Sequence, residues 1–304
     1  MVDRMSSLPE FARDLEGHLL VDEPMSKHTS WRTGGTAEYF YTPSNRDDLV
    51  RLLKRLPGHM QVHWVGLGSN LLVRDGGLSG MVIRTSKGLD QISVIQDEMV
   101  YAESGVSCAR VARVASRNYL TGVEFLSGVP GSFGGALAMN AGAFGGETWD
   151  WVDSIDCVDR KGNICTIDAK DVSYGYRHVD LPPDSWILSG VVALEAAGEN
   201  FHGRDKIKSL LEKRASSQPV QSANAGSVFR NPEGDFAARL IEEAGLKGKS
   251  CGDAVVSDVH ANFIVNRGKA TSADIEELIV QIRESVKQKS GITLDLEVRI
   301  MGER

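Results

Sequence analysis

Cysteine is scarce: the 304 residues hold four, Cys108, Cys157, Cys165 and Cys251. None forms a CxxC pair and none stands at a zinc-finger spacing, so a thiolate metal site is excluded and no metal is expected. The four read as free thiols in a reducing compartment. Long apolar runs are missing too. No stretch approaches the roughly 20 apolar residues of a membrane helix, so no membrane contact is expected. Residues 1–10 carry charge and no apolar core, unlike a secretory signal, and the expected location is cytoplasmic. Positive charge is in deficit: 34 Lys and Arg against 41 Asp and Glu leave a net charge of −7. Binding to nucleic acid needs clustered basic side chains and is not expected. A local basic pocket for a small anion remains open. No long repeat or low-complexity linker interrupts the chain.

What is present is an ordinary globular mixture, 41% hydrophobic and 25% charged, long enough for two domains. Residues 9–20 read as an opening helix and 36–41 as a strand. Leu49, Leu52, Leu53 and Leu56 recur at helical spacing over 45–55, with Asn45 as N-cap. Short strands follow at 63–65, 71–73, 81–84, 91–94 and 99–102, then a helix over 107–117. Residues 154–158 and 164–167 form a predicted hairpin around Lys161-Gly162-Asn163. A strand is expected over 186–196. Beyond about Gly198 the texture changes: helices over 205–214, 236–244 and 272–290, then a closing strand over 292–301. The pattern predicts an α+β chain with a first domain over 1–197 (core about 32–197) and a second over 198–304, whose terminal strand region is 292–304.

Two glycine-rich stretches stand out. Gly66-Leu67-Gly68-Ser69-Asn70-Leu71-Leu72 follows a strand, where glycines let main-chain amides approach a phosphate. It is no Rossmann fingerprint: Leu71 fills the third glycine position, and a strand and turn follow instead of a helix. The Walker lysine is absent, and a plain tight turn remains an alternative. The second run extends from Gly122 to Gly146 and includes Gly128, Gly131, Ser132, Gly134, Gly135, Asn140 and Gly142. So much glycine is costly on folding. It suits a flat ligand against bare main chain, or a close helix–helix contact.

Taken together these segments resemble the UDP-N-acetylenolpyruvoylglucosamine reductase (MurB) family. The likeness runs from Thr29-Ser30-Trp31-Arg32-Thr33-Gly34-Gly35 to Leu296-Glu297-Val298-Arg299. It includes Met139-Asn140-Ala141-Gly142 and Asn224-Ala225-Gly226-Ser227-Val228-Phe229-Arg230-Asn231-Pro232. The resemblance implies a vanillyl-alcohol-oxidase-like (PCMH-type) FAD-binding domain, followed by a smaller α/β substrate-binding domain. It implies tightly but non-covalently bound FAD, with NADPH as co-substrate and a UDP-sugar enolpyruvyl ether as substrate. Gly66, Gly68, Ser69, Asn70 and Leu71 would cradle the pyrophosphate. Ser127, Gly128, Gly131, Ser132, Gly135, Asn140 and Gly142 would line the rest of the flavin. Arg32 would help assemble that site; its alternative is a surface salt bridge.

Reducing an enolpyruvyl ether requires hydride at C3 and a proton at C2, and negative charge moves toward the carboxylate. The site needs a hydride donor, a cation beside the carboxylate and an acid near C2. On the resemblance Ser227 is the acid, Arg177 the clamp and Glu297 the third catalytic position. The plain alternatives are a turn serine and an exposed strand acid. Arg offers a planar, permanently charged fork. Val179 stands where the family usually has Ser, which puts the geometry around Arg177 in question. Asp295 would share a strand face with Glu297. Tyr176, Arg214, Asn231 and His260 are candidates for the sugar nucleotide, with purely structural roles as their alternative. The short stretch 177–186 matches the family class that lacks an inserted loop. A monomer is expected. Another flavin oxidase on the same fold, or a flavin-binding module without turnover, are the competing readings.

Overall fold

The protein is described here as a computed structural model covering residues 9–96, 98–198 and 201–304. The segment 1–10, expected to differ from a secretory signal, lies mostly in residues 1–8, outside the described residues. The chain forms two compact units. The first comprises residues up to Val21, Tyr39–Gly66 and Gly80–Leu210; the second comprises Asp22–Glu38, Leu67–Ser79 and Leu211–Arg304. Two early segments, 22–38 and 67–79, therefore belong with the C-terminal unit, and the division falls at Leu210 and Leu211 rather than at 197 and 198. The physical reason is packing: Trp31 and Leu72 are wholly buried in the same apolar cluster as Val228, Ile275 and Leu278. Side chains so distant in sequence share a core only when the chain has been threaded back through it.

The first unit has two cores. One lies against a five-stranded antiparallel sheet, ordered Ile164–Asp168, Val152–Asp159, Ser185–Ala193, Met99–Glu103 and Ile92–Gln96. The expected hairpin is present, with Val158 opposite Ile164. The expected strand over 186–196 breaks at Leu194 and resumes as Glu195–Ala196, which pairs with Leu120–Thr121 instead. The other core underlies the helix α1 (Arg46–Arg55), where Leu49, Leu52 and Leu53 are buried. Asn45 caps α1 by accepting the Asp48 amide at 2.9 Å, as its sequence position predicts. Beside it Val62–Val65 runs parallel to Leu78–Arg84, in a sheet ordered His18–Pro24, Thr36–Thr42, Leu78–Arg84, Val62–Val65. Two further helices follow, α2 (Cys108–Arg117) and α3 (Phe133–Met139).

The expected helix over 9–20 does not form. A 3₁₀ turn spans Glu10–Ala12 and a strand spans His18–Pro24. Asp14 takes a left-handed φ of 60°, which ends any right-handed helix. Gly17 then passes so close to Tyr41 that a Cβ would lie 2.4 Å from its hydroxyl oxygen.

The helix α4 (Gly203–Ser217) is longer than its periodicity predicts, and the division between units falls within it. The second unit contains α5 (Ala237–Glu243), α6 (Ser272–Ser290) and a small sheet ordered Ser250–Cys251, Ala254–Val256, Ile264–Asn266. Ile275, Leu278, Ile279, Ile282 and Val286 of α6 are buried, the face their spacing predicts. Thr271 and Asp274 form a reciprocal capping box at its start, and Gly291 ends it with a φ of 75°. The expected closing strand is much shorter: only Arg299–Met301 is strand, paired in parallel with Leu71–Val73. No described helix is long and apolar enough to cross a membrane.

Candidate active site

The glycine-rich run of the first unit is not uniformly bare main chain. Glu124–Gly128 is a 3₁₀ turn, and Ser132 N-caps α3 by accepting the Gly135 amide at 3.3 Å. Gly66 packs directly on that cap: a Cβ there would sit 2.1 Å from Ser132 Oγ. Part of the glycine content therefore serves close packing within the protein. The buried Ser127 hydroxyl donates to the Glu124 carbonyl at 2.7 Å, so its proton is committed. Gly128 lies under the Phe144 ring, and the Gly131 carbonyl accepts the Cys108 amide at 3.0 Å. Gly135 is exposed, with only Ser132 Oγ near its missing Cβ.

Arg177 and the end of this run meet. Its Nη1 donates to the Asn140 carbonyl at 3.1 Å and its Nη2 to the Gly142 carbonyl at 3.0 Å. The guanidinium lies 4.9 Å above the Tyr176 ring, a cation–π contact. Both ends of the fork thus hold the loop. Asn140 takes the left-handed region (φ 46°) as the C-cap of α3, and its side chain is fully used. Nδ2 donates to Glu147 Oε2 at 2.9 Å and to the Gly175 carbonyl at 3.1 Å, while Oδ1 accepts the Trp149 amide at 3.0 Å. Val179, in place of the usual Ser, packs against the apolar core.

In the second unit, Leu67, Gly68 and Ser69 donate their amides to no carbonyl among the described residues. Gly68 has a φ of 66°, and its Cβ would fall 1.8 Å from the His28 carbonyl oxygen. Successive unspent amides around a left-handed residue make an anion-binding concavity. Asn70 Nδ2 donates to the Glu297 carbonyl at 3.0 Å, and Leu71 opens the strand opposite Arg299. Arg32 is exposed, has a φ of 58° and makes no ion pair among the described residues. The salt-bridge alternative for it is not what the structure shows.

Ser227 is placed by a chain of short-range bonds. Asn224 Oδ1 accepts the Gly226 amide at 3.0 Å, turning the chain through a left-handed Gly226 (φ 76°). Next to Ser227, Val228 and Phe229 are buried and pinned to Asn262. The Val228 amide meets the Asn262 carbonyl at 2.9 Å, and the Phe229 amide meets Asn262 Oδ1 at 3.0 Å. On the other side, the Val228 carbonyl accepts both the Glu297 amide (2.8 Å) and the Val298 amide (3.3 Å). Two residues opposite one is bulge geometry, and it interrupts the alternation a strand would impose. Glu297 therefore sits in an irregular segment, not in the expected strand. Asp295 is exposed and Glu297 half-buried, which separates the two acids. Ser227 and Glu297 are thus brought to one place by main-chain bonding.

The sugar-nucleotide candidates divide. Asn231 Oδ1 accepts the Ala237 amide at 3.1 Å and so caps α5. Arg214 donates Nε to Gln218 at 3.0 Å; burial lowers its pKa, and no described carboxylate pairs with it. The His260 pKa is lowered by burial and then by the Lys247 charge. Its Nδ1 accepts the Asn262 amide at 3.3 Å, which leaves the proton on Nε2. No described group of His, Cys, Asp and Glu is arranged to hold a metal ion.

Comparison with known proteins decides the family. A model for the C-terminal domain of UDP-N-acetylenolpyruvoylglucosamine reductase matches residues 218–301, and an FAD binding domain model matches 37–168. UDP-N-acetylenolpyruvoylglucosamine reductase of Alkalilimnicola ehrlichii is 52% identical over 94% of this chain and 96% of its own. That of Methylococcus capsulatus is 50% identical over 94% of each. The chain belongs to the UDP-N-acetylenolpyruvoylglucosamine reductase family. A crystal structure of the reductase (MurB) from Thermus caldophilus superposes with a TM-score of 0.79 at 30% identity, covering 93% of this chain and 98% of that one.

Membership makes the protein an FAD-dependent oxidoreductase with an α+β, PCMH-type FAD-binding domain. The residues fit such a cofactor, because the amides of residues 67–69 match the charge and donor needs of a pyrophosphate. Three residues that hold the candidate segments in place have no strong sequence signal. Asn224 and Asn262 position the Ser227 segment, and Glu147 braces Asn140. Asn224 alone was findable, since Asn before Ala-Gly is a turn signature.

Proposed function

We propose that the protein reduces UDP-N-acetylglucosamine enolpyruvate to UDP-N-acetylmuramate with NADPH, in bacterial peptidoglycan precursor synthesis. The observation that carries this reading is the convergence of Ser227 and Glu297 through the paired Val228 and Glu297 main chain. FAD, when bound, supplies the hydride that NADPH delivers to it. Its pyrophosphate is assigned to residues 66–71, and its remaining contacts to Arg32, Ser127, Gly128, Gly131, Ser132, Gly135, Asn140 and Gly142.

Ser227 delivers the proton to C2. A serine hydroxyl is a weak acid, but an enolate-like carbon is a strong base, so transfer runs downhill. The half-buried turn through Gly226, with nothing within 4 Å of its missing Cβ, leaves room beside that hydroxyl. Arg177 is assigned to the substrate carboxylate, held by the loop that it braces. Glu297, half-buried, is assigned to hold a proton as negative charge develops or to orient a water. Arg214, as a desolvated cation without a carboxylate partner, is assigned to the UDP diphosphate. His260 Nε2–H, Tyr176 and Asn231 complete the nucleotide contacts. The protein is assigned to the cytoplasm as a monomer.

The test is anaerobic. NADPH should bleach the flavin, and added UDP-N-acetylglucosamine enolpyruvate should restore its colour. Flavin that stays reduced in the presence of that substrate refutes the assignment. In Ser227→Ala, bleaching should persist while recovery slows by roughly 10²–10⁴-fold, as for a lost general acid. Equal slowing of both steps would make Ser227 structural instead.

A further inference from the structure

The geometry points to Glu147 as a positioning residue for Arg177, a role that rests on the reductase reading above. Arg177 holds a left-handed backbone (φ 56°), uncommon for a side chain with a Cβ, so its surroundings must over-determine it. Its side chain is only 14% exposed, and both guanidinium ends donate to neutral carbonyls, of Asn140 and Gly142. Carbonyls fix direction but do not balance charge. A carboxylate does stand by: Glu147 Oε1 lies 3.9 Å from Arg177 Nη1. The other oxygen of that carboxylate, Oε2, accepts Asn140 Nδ2 at 2.9 Å. One acid thus touches the cation and also the side chain of the residue whose carbonyl the cation grips.

The main chain closes the same circuit. Gly142 and Glu147 face each other in a two-residue antiparallel ribbon. A Cβ on Gly142 would stand 3.2 Å from both Arg177 Nη1 and Glu147 Cγ, so both side chains close over the bare Gly142 main chain. The carboxylate sits beyond hydrogen-bond distance from the guanidinium, so direct neutralisation is the smaller part of its effect. Its larger part runs through Asn140: removing the acceptor leaves Nδ2 with the Gly175 carbonyl alone, loosens residues 140–142 and lets the fork turn. Glu147 therefore sets where the Arg177 charge points, without touching substrate.

The test uses the flavin-loaded enzyme and compares Glu147→Ala with Glu147→Gln. Ala removes charge and acceptor; Gln keeps an acceptor for Asn140. For Ala, substrate-driven reoxidation should slow about tenfold or more, with a raised KM for the enolpyruvyl substrate, as for one lost orienting hydrogen bond. Compared at equal flavin loading, reduction by NADPH should stay within about twofold of wild type. Gln should recover reoxidation to within about threefold. The role is overturned if Ala leaves reoxidation unchanged, or slows both half-reactions alike. A second measurement needs no turnover: thermal unfolding of Glu147→Ala, Asn140→Ala and the double variant. The double loss in Tm should fall well short of the sum of the single losses, and strict additivity would refute the contact. If wild-type enzyme itself is not reoxidised by the substrate, the reductase reading fails, and the unfolding cycle alone decides whether Glu147 holds Asn140.

Discussion

Replacing Gly68 with Ala separates a glycine needed for its conformation from one needed for its bareness. Gly68 has a φ of 66°, and a Cβ would stand 1.8 Å from the His28 carbonyl oxygen. Left-handed backbone costs a residue with Cβ roughly 1–2 kcal/mol. Relieving the overlap requires moving main chain, and the Ser30 amide to Gly68 carbonyl bond (3.0 Å) is then lost or stretched. That bond contributes about 1 kcal/mol net. The sum is about 2–3 kcal/mol, which at roughly 2–4 °C per kcal/mol for a unit of this size lowers Tm by about 5–10 °C. Gly226→Ala is the control: its φ is 76°, but nothing lies within 4 Å of the new Cβ, so only the roughly 1–2 kcal/mol of strain applies. The amides of residues 67–69 also move in Gly68→Ala alone. That variant should therefore lose flavin on gel filtration, whereas Gly226→Ala retains it. Differential scanning fluorimetry and the 450 nm flavin absorbance of purified protein, typical of oxidised flavin (~450 nm), read both effects. Equal Tm losses with full flavin in both variants would refute the reasoning.

Two further outcomes are expected. Arg177→Lys keeps the charge but cannot span both the Asn140 and Gly142 carbonyls while stacking on Tyr176, so reoxidation by substrate should fall by roughly 10–100-fold through loss of about 1.5–3 kcal/mol of charged hydrogen bonding; a near-normal rate would remove Arg177 from the carboxylate. Asp48 tests stability against pH. Burial alone would raise its pKa, but hydrogen bonds from Tyr41, the Ser44 and Glu16 amides and Arg51 prevail and lower it below 3.8. Its folded pKa lies under its unfolded one, so its contribution is complete above the unfolded value and is lost as pH falls through the folded value. Asp48→Asn should lower Tm at neutral pH and flatten the acid limb of a Tm–pH curve below about pH 4; an acid limb as steep as that of wild type would assign the titration to other groups.

Much of the chain was legible because local rules and packing agree there. The capped, Leu-spaced α1, the amphipathic α6 with its capping box and the hairpin around Gly162 all form where periodicity and turn chemistry place them. The departures have particular causes. Residues 18–24 have no strong strand pattern, yet they become a sheet strand because Asp14 and Gly17 turn the chain toward Tyr41. The end of the chain alternates like a strand, yet the Val228 carbonyl takes two successive amides there, and the resulting bulge gives Asp295 and Glu297 different exposure. Ser127 and Asn231 were legible as motif members only; the structure commits the Ser127 hydroxyl to the Glu124 carbonyl and the Asn231 oxygen to the start of α5.

Residue types and their order by themselves determined the chemistry at hand: glycines where amides must be reached, a serine after a left-handed turn, an arginine with a permanently charged fork. These are properties of short segments, set by sterics and ionisation, and they survive without knowledge of what lies nearby. Tertiary structure alone decided the company each group keeps. It laid the Arg177 fork on Asn140 and Gly142, beside Glu147, and bonded the Ser227 segment to Glu297 some seventy positions later in the chain (~70 residues). It also gathered Trp31 and Leu72 into the core built by α6. Such contacts follow from burying apolar surface and satisfying buried polar atoms across the whole chain at once. No local pattern encodes that solution, because each bond depends on partners that only the folded chain brings within reach.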